Sequence, residues 1–216
     1  AWVNIRRRWR VRLQAERDYA RKGTQRAGLL VRDNLRHRSD IEDAYLDAIQ
    51  GAREEIVIAN AYFFPGKHFR RALIDAARRG VRVVLLLQGR VEYMLLHYAS
   101  RALYGTLLDA GVEIHEYYKS FLHAKVAVID GHWSTVGSSN IDPFSLMLAR
   151  EANVVALDRE FAAQLREALQ QALEIGARVV PKMRWSRKPL SRRIAIWLAY
   201  AAARLLMGVF GYAGKH

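Results

Sequence analysis

The sequence has no cysteine and little proline or glycine, and each scarcity excludes a class of protein. Without cysteine the chain has no disulfide bonds, no thiolate metal sites and no cysteine nucleophile. Only 4 prolines and 14 glycines among 216 residues exclude collagen-like and linker-dominated chains. No GxGxxG sequence follows the first predicted strand, so a dinucleotide site is not supported.

What is present is typical of a folded protein whose charge is unevenly distributed. Apolar residues make up 51% of the chain and charged residues 26%, which excludes wholesale disorder. The 35 basic residues outnumber the 21 acidic ones, for a net charge of +14. Residues 1–38 and 176–216 each carry +9, whereas residues 39–175 carry −4. Basic flanks of this kind indicate an anionic partner, either nucleic acid or an acidic membrane surface.

Strand-like and helix-like stretches alternate through the central part of the chain. Early β-α units favour parallel pairing, and the tight Asp130-Gly131 step favours an antiparallel hairpin later. The order predicts an α/β fold, a sandwich with a mixed β-sheet. The predicted helices span about 39–51, 68–79, 91–110 and 161–175, and the predicted strands span 55–61, 81–87, 112–117, 124–129, 132–136 and 152–157.

The most informative stretch lies between residues 121 and 155. His123 and Lys125 are two residues apart on a predicted strand, so both side chains leave the same face. An imidazole beside an ammonium group suits a phosphate, since the lysine neutralises its oxygens while the histidine acts as nucleophile or proton donor. Asp130 has an odd offset from His123, which favours a structural anchor at the strand end. The turn at 137–140 offers hydroxyl and amide donors to a phosphate.

These positions together match the signature His-x-Lys-x4-Asp-x6-Gly-Ser-x-Asn, and the sequence therefore resembles the phospholipase D superfamily. A chance match is on the order of 10⁻⁸ per starting point. Glu151 falls where superfamily members carry an acid that hydrogen-bonds the catalytic histidine. The resemblance implies a phospholipase D-like α-β-α sandwich with His123, Lys125, Asp130 and Glu151 as catalytic residues and with Ser138 and Asn140 binding the substrate phosphate.

Within the superfamily, residues 30–216 look most like the C-terminal half of a bacterial cardiolipin synthase. That resemblance implies a phosphatidyltransferase: one histidine attacks phosphatidylglycerol and forms a phosphohistidine, and a second histidine protonates the leaving glycerol. It also implies that no metal or organic cofactor takes part. The sequence has one such motif, hence half a site, and the second motif would come from a missing N-terminal half or from a homodimer. His123 would then be the general acid and base.

Two further functions remain open from the residues. The first is a single-motif nuclease completed by homodimerisation, and the second is a half that only folds and docks on a membrane. A nuclease groove should be basic around its motif, but the motif-bearing body carries −4, which favours lipid over nucleic acid as the partner. We expect the protein to be attached peripherally to the cytoplasmic face of a bacterial inner membrane. The sequence lacks the residues that a zinc site or a Ser-His-Asp hydrolase needs.

We therefore expect three segments. Residues 1–38 are interpreted as a basic linker or the tail of a preceding half, 39–180 as the phospholipase D-like catalytic domain, and 181–216 as a basic and apolar helix that associates with the membrane. The run at 194–214 is long enough to span a bilayer. Its central Arg204 offsets the gain from its apolar residues, which favours a helix lying in the interface.

Overall fold

A computed structural model describes residues 23–33, 37–142, 150–182 and 190–209. Eight strands of the described residues form one sheet. In chain order they are β1 (Arg26–Arg32), β2 (Glu55–Asn60), β3 (Arg82–Gln88), β4 (Glu113–Tyr117), β5 (Lys125–Ile129), β6 (Trp133–Gly137), β7 (Glu151–Leu157) and β8 (Ala177–Val179). Across the sheet their order is β1-β7-β6-β5-β2-β3-β4-β8.

The sheet is mixed, as the sequence predicts. β2, β3 and β4 run parallel to one another, as expected for strands joined by helices. β5 is antiparallel to β2, and β6, β7 and β1 continue antiparallel from it. The predicted α/β sandwich with a mixed sheet is therefore confirmed.

Helices lie on both faces of this sheet. They are α1 (Asp40–Gly51), α2 (Lys67–Arg78), α3 (Met94–Ala102), α4 (Tyr104–Asp109), α5 (Arg159–Gly176) and α6 (Leu190–Val209). α1 to α4 pack over a core that includes Ile58 and Leu85, whereas α5 covers the other face, where Val57 and Val84 are buried. β3 contributes alternate residues to both cores, which explains its nearly continuous apolar sequence.

Three elements differ from the sequence-based expectation. β1 lies within residues 1–38, which were interpreted as a linker or tail, and pairs with β7 along its whole length. The stretch 91–110, predicted as one helix, forms two helices, α3 and α4, because the helix is interrupted at Leu103. Ala99, Leu103 and Leu107 are four residues apart and all face one core, so their spacing resembles that of a single helix. β8 was not predicted, and it pairs with β4.

α6 packs against α3 at one side of the core that α1 to α4 cover. Ile196 and Ala203 are buried, and the Tyr200 ring lies 5.6 Å from the Phe64 ring. Four large apolar side chains of α6 are exposed: Ile194, Trp197, Leu198 and Leu205. In the part of the chain that the structure describes, no helix is long and apolar enough to cross a membrane. Residues 1–22, 34–36, 183–189 and 210–216, which belong to the predicted basic and apolar segments, lie outside the described residues.

Candidate active site

His123 and Lys125 form the centre of the candidate site. Lys125 is the first residue of β5 and His123 lies just before it. Their side chains leave the same face, as predicted, with Lys125 Nζ 3.2 Å from His123 Nε2. The imidazole is exposed, whereas Lys125 is only 6% exposed. The pair therefore presents a ring to solvent above a buried positive charge.

The charges of three carboxylates act on this lysine. Burial lowers the pKa of Lys125, and the charges of Glu151, Asp142 and Glu92 oppose that effect. An ammonium group can only donate hydrogen bonds, so Nε2 of His123 accepts from it. The lone pair of Nε2, which a nucleophile or base needs, is therefore directed at the Lys125 ammonium group in this structure.

A turn at the end of β6 presents the predicted phosphate-binding residues. Gly137 has no room for a side chain, because a Cβ there would lie 2.0 Å from Asn153 Oδ1. The same Asn153 oxygen accepts the N–H of Ser139 at 3.3 Å, and Nδ2 of Asn153 donates to the hydroxyl of Thr135 at 3.2 Å. Asn153 is 1% exposed and thus fixes the turn from inside the sheet. Sequence reasoning missed it, although a lone amide among the apolar residues of EANVVAL is a usable signal.

Glu151 has a different partner from the one predicted. The expectation was a hydrogen bond from the catalytic histidine to this acid. Of the described side chains it is Ser138 that donates to Glu151 Oε2, and His123 makes no hydrogen bond to Glu151. Ser138 Oγ also accepts the N–H of Ala152 at 3.0 Å, so the turn and the start of β7 are joined at this point. Glu151 therefore acts on the site through Ser138 and through its charge near Lys125.

Asn140, the last residue of the motif, lies at a second fixed point. It is 8% exposed, and the residue after it is held by the last residue of β2 and by the segment that follows β2. The N–H of Ile141 donates to Asn60 Oδ1 at 3.2 Å, and its carbonyl accepts the N–H of Phe64 at 2.7 Å. Asn60 is fully buried and lies opposite Lys125 in the sheet. Sequence reasoning did not single it out, because its partner is distant along the chain. Phe63 and Phe64 fill the core.

Asp130 lies at the far end of β5 from Lys125. Its carboxylate accepts three backbone N–H groups, those of Arg53, Glu54 and Glu55, at 2.8, 2.9 and 3.0 Å. Burial raises the pKa of Asp130, but these three donors outweigh it and hold the pKa below its usual value. This position agrees with the interpretation of Asp130 as a structural anchor at the strand end. Asp130 does not contact His123.

The described residues offer no arrangement for a metal. Within them, no group of three or more His, Cys, Asp or Glu side chains is placed to hold an ion. The groups that converge on the site are instead an imidazole, an ammonium group, a hydroxyl and an amide, which suit an anion of phosphate type.

Comparison with known proteins agrees with this arrangement. The sequence model of the family described as cardiolipin synthase, phospholipase D-like domain, matches residues 45–173. The chain belongs to this family. Cardiolipin synthase B of Escherichia coli K12 is 45% identical over 184 residues, which cover 83% of this chain and 45% of that protein. The chain thus spans less than half the length of the curated relatives it matches.

Two solved structures share the fold of this phospholipase D-like domain. The phospholipase D family member Nuc from Salmonella typhimurium superposes with a TM-score of 0.61 at 21% identity, covering 73% of this chain and 99% of Nuc. Phosphatidylserine synthase from Haemophilus influenzae gives 0.66 at 12% identity, covering 84% and 47%. At these identities the likeness shows the fold, and the matched family region contains His123, Lys125, Asp130, Ser138, Asn140 and Glu151.

Proposed function

We propose that the chain is the motif-bearing half of a phosphatidyltransferase of cardiolipin synthesis. The observation that carries this proposal is the exposed imidazole of His123, whose Nε2 lies 3.2 Å from the ammonium group of buried Lys125. A lysine fixed at that distance holds a phosphate next to the ring, where a proton or a phosphorus–nitrogen bond can be exchanged. The sequence similarity to cardiolipin synthase B supports phosphatidylglycerol as the donor.

The proposed reaction has two balanced steps. In the first, a histidine nitrogen attacks the phosphorus of phosphatidylglycerol, the bond from phosphorus to the glycerol oxygen breaks, and a second histidine gives that oxygen a proton. In the second step, the second histidine takes the proton from the hydroxyl of another phospholipid. The freed oxygen attacks phosphorus and the phosphorus–nitrogen bond breaks. Two phosphatidylglycerol molecules thus yield one cardiolipin and one glycerol.

His123 supplies one of these two histidines. In an in-line displacement the attacking and leaving groups lie on opposite sides of phosphorus, so one ring cannot easily perform both tasks. We assign His123 the general acid and base role, as its likeness to a C-terminal half implies. The second His-Lys motif comes from an N-terminal half of a longer chain or from a second copy related by a twofold axis. The limited coverage of the relatives favours the longer chain.

The remaining motif residues stabilise the charge on the phosphate. Lys125 neutralises the non-bridging oxygens, and its depressed pKa reflects the burial that strengthens this interaction. Asn140 and Ser138 add neutral donors from the turn, with Glu151 orienting the hydroxyl of Ser138. Asp130 and its three backbone donors support β5 from its other end.

Exposed apolar side chains support a lipid surface as the setting. Phe121 lies two residues before His123 and is 56% exposed, and the guanidinium group of Arg90 lies 5.7 Å from its ring centre. Val91, Tyr93 and Met94 are exposed on the neighbouring segment. Apolar groups beside basic ones suit the interface of an anionic bilayer. Together with the exposed residues of α6 and the basic flanks, they support peripheral attachment to the cytoplasmic face of a bacterial inner membrane.

An assay with two substrates tests the proposal. A species that contains two His-Lys motifs, either the dimer or the longer chain, is incubated with vesicles of phosphatidylglycerol labelled in its headgroup and, separately, with single-stranded DNA. We expect cardiolipin and free glycerol in equal amounts, intact DNA, and loss of turnover in His123→Ala. Cleavage of DNA without lipid turnover would contradict the proposal and favour the homodimeric nuclease.

A further inference from the structure

A small cavity lies beside the candidate site, where β2 and β3 end and α3 begins. It has a volume of about 30 Å³, room for one hydroxymethyl group, and opens to solvent. Its lining includes Tyr62, Arg90, Glu92, Tyr93 and His97. None of these residues belongs to the His-Lys motif.

The cavity adjoins the phosphate position. The N–H of Ala61, in its wall, donates to the carbonyl of Ala124 at 2.9 Å, and Ala124 separates His123 from Lys125. Glu92 is also one of the three acids whose charge acts on Lys125. An alcohol esterified to a phosphate on Lys125 therefore has its carbon chain next to this cavity.

Two neighbouring groups of the cavity, Tyr62 and Glu92, can accept hydrogen bonds. Tyr62 donates its hydroxyl to Glu92 Oε2, which leaves the other carboxylate oxygen and the lone pairs of the phenol free to accept. Arg90 does not neutralise Glu92, because its guanidinium group donates to the carbonyls of Tyr118 and Lys119 at 2.8 and 2.9 Å. Within the described residues, no basic side chain lies at salt-bridge distance from Glu92.

We infer that this cavity binds the terminal hydroxymethyl group of the glycerol headgroup during phosphatidyl transfer, with Glu92 and Tyr62 as acceptors. The inference rests on the proposed function and adds a specificity site to it. A carboxylate that forms no salt bridge repels a second phosphate but accepts hydrogen bonds from neutral hydroxyl groups. A polyol on the phosphate satisfies these acceptors, whereas a plain alkyl group leaves them without a donor.

Short-chain lipids that differ only in the headgroup test this inference without requiring turnover. Dihexanoyl phosphatidylglycerol and dihexanoyl phosphatidylethanol, below their micelle concentrations, are titrated calorimetrically into the protein. We expect phosphatidylglycerol to bind about tenfold more tightly, as befits hydrogen bonds to a charged acceptor. Glu92→Ala and Tyr62→Phe should reduce that ratio towards one while the affinity for phosphatidylethanol stays unchanged.

A matched control and a third lipid complete the test. Glu167→Ala removes an exposed carboxylate from α5, on the other side of the sheet, and should keep the tenfold ratio. If Glu92→Ala leaves the ratio of the two lipid affinities unchanged, the inference is overturned and the proposed function still stands. Tighter binding of dihexanoyl phosphatidylethanolamine than of phosphatidylglycerol would also overturn it, because the cavity would then select an ammonium group. If none of the lipids binds, the proposed function fails together with the inference.

Discussion

The two ends of β5 carry residues of one sequence motif in opposite physical situations. At the first end, His123 is exposed and Lys125 is buried, and the charges of carboxylates act on the lysine. At the other end, roughly 16 Å away along the strand, Asp130 accepts three backbone N–H groups from the segment that starts β2. The first end keeps hydrogen-bonding capacity for a ligand, and the second uses its capacity within the fold.

The residues at the two ends of β5 therefore belong to one sequence signature but have different roles. A residue whose polar atoms are satisfied by the backbone stabilises the fold, whereas an exposed residue that can exchange its side-chain partner for a ligand can do chemistry. Substitutions at the two ends should therefore separate activity from stability.

The largest effect should follow the replacement of His123 by alanine. We expect lipid turnover to fall by more than about 10⁴-fold, because a proton-transfer or nucleophilic group is lost. The thermal midpoint should stay within about 2 °C, since the ring is exposed. His132→Ala offers a matched control, because this exposed histidine lies at the Asp130 end of the hairpin and should keep full activity. An active, folded His123→Ala protein would remove the proposed role.

The second effect concerns Lys125, replaced by methionine of similar length. Turnover should fall by about 10²–10³-fold because the phosphate loses its positive partner. Stability should not fall, because the buried ammonium group is desolvated, as its lowered pKa indicates. Urea unfolding of the variant checks this, and a loss above about 2 kcal/mol would show that Lys125 mainly supports the fold.

The third effect belongs to the other end of the strand. Asp130→Ala should lower the free energy of unfolding by roughly 2–3 kcal/mol, because three backbone donors lose their acceptor and the residue has a φ of +49°. Asp130→Asn keeps one oxygen acceptor and tolerates that φ, so it should lose less. Turnover per folded molecule should change by only a fewfold in both. A loss as large as that of His123→Ala would place Asp130 in the chemistry.

The smallest effect is the pH dependence that Asp130 contributes. Its pKa is lower in the folded state than in the unfolded chain, so its stabilisation is complete above the unfolded value of about 3.9 and is lost as the pH falls through the folded value. The difference in unfolding free energy between wild type and Asp130→Asn should therefore shrink below about pH 4. Asp47→Asn, an exposed acid on α1, controls for the removal of one surface charge. A difference that stays constant down to pH 2 would contradict this assignment.

Sequence periodicity predicted the parts of the site that depend on the backbone. The two-residue spacing of His123 and Lys125 placed them on one face, and the odd offset of Asp130 placed it elsewhere. The mixed sheet followed from the order of strands and helices.

Parts of the site that depend on distant packing were not predictable in the same way. Glu151 binds Ser138 because the turn after β6 folds back on the start of β7, which spacing alone does not reveal. Asn60 supports Ile141 from 81 residues away. β1 lies in a basic segment whose composition resembles a solvated tail, and only its pairing with β7 makes it a strand.

The central claim is that His123 and Lys125 form one half of a two-histidine site. Size exclusion with light scattering, followed by a phosphatidylglycerol turnover assay on each fraction of residues 1–216, tests it most directly. The account predicts activity only in species that contain two His-Lys motifs, so a monomer should be inactive and any active fraction should be a dimer. A fully active monomer would contradict the two-histidine mechanism.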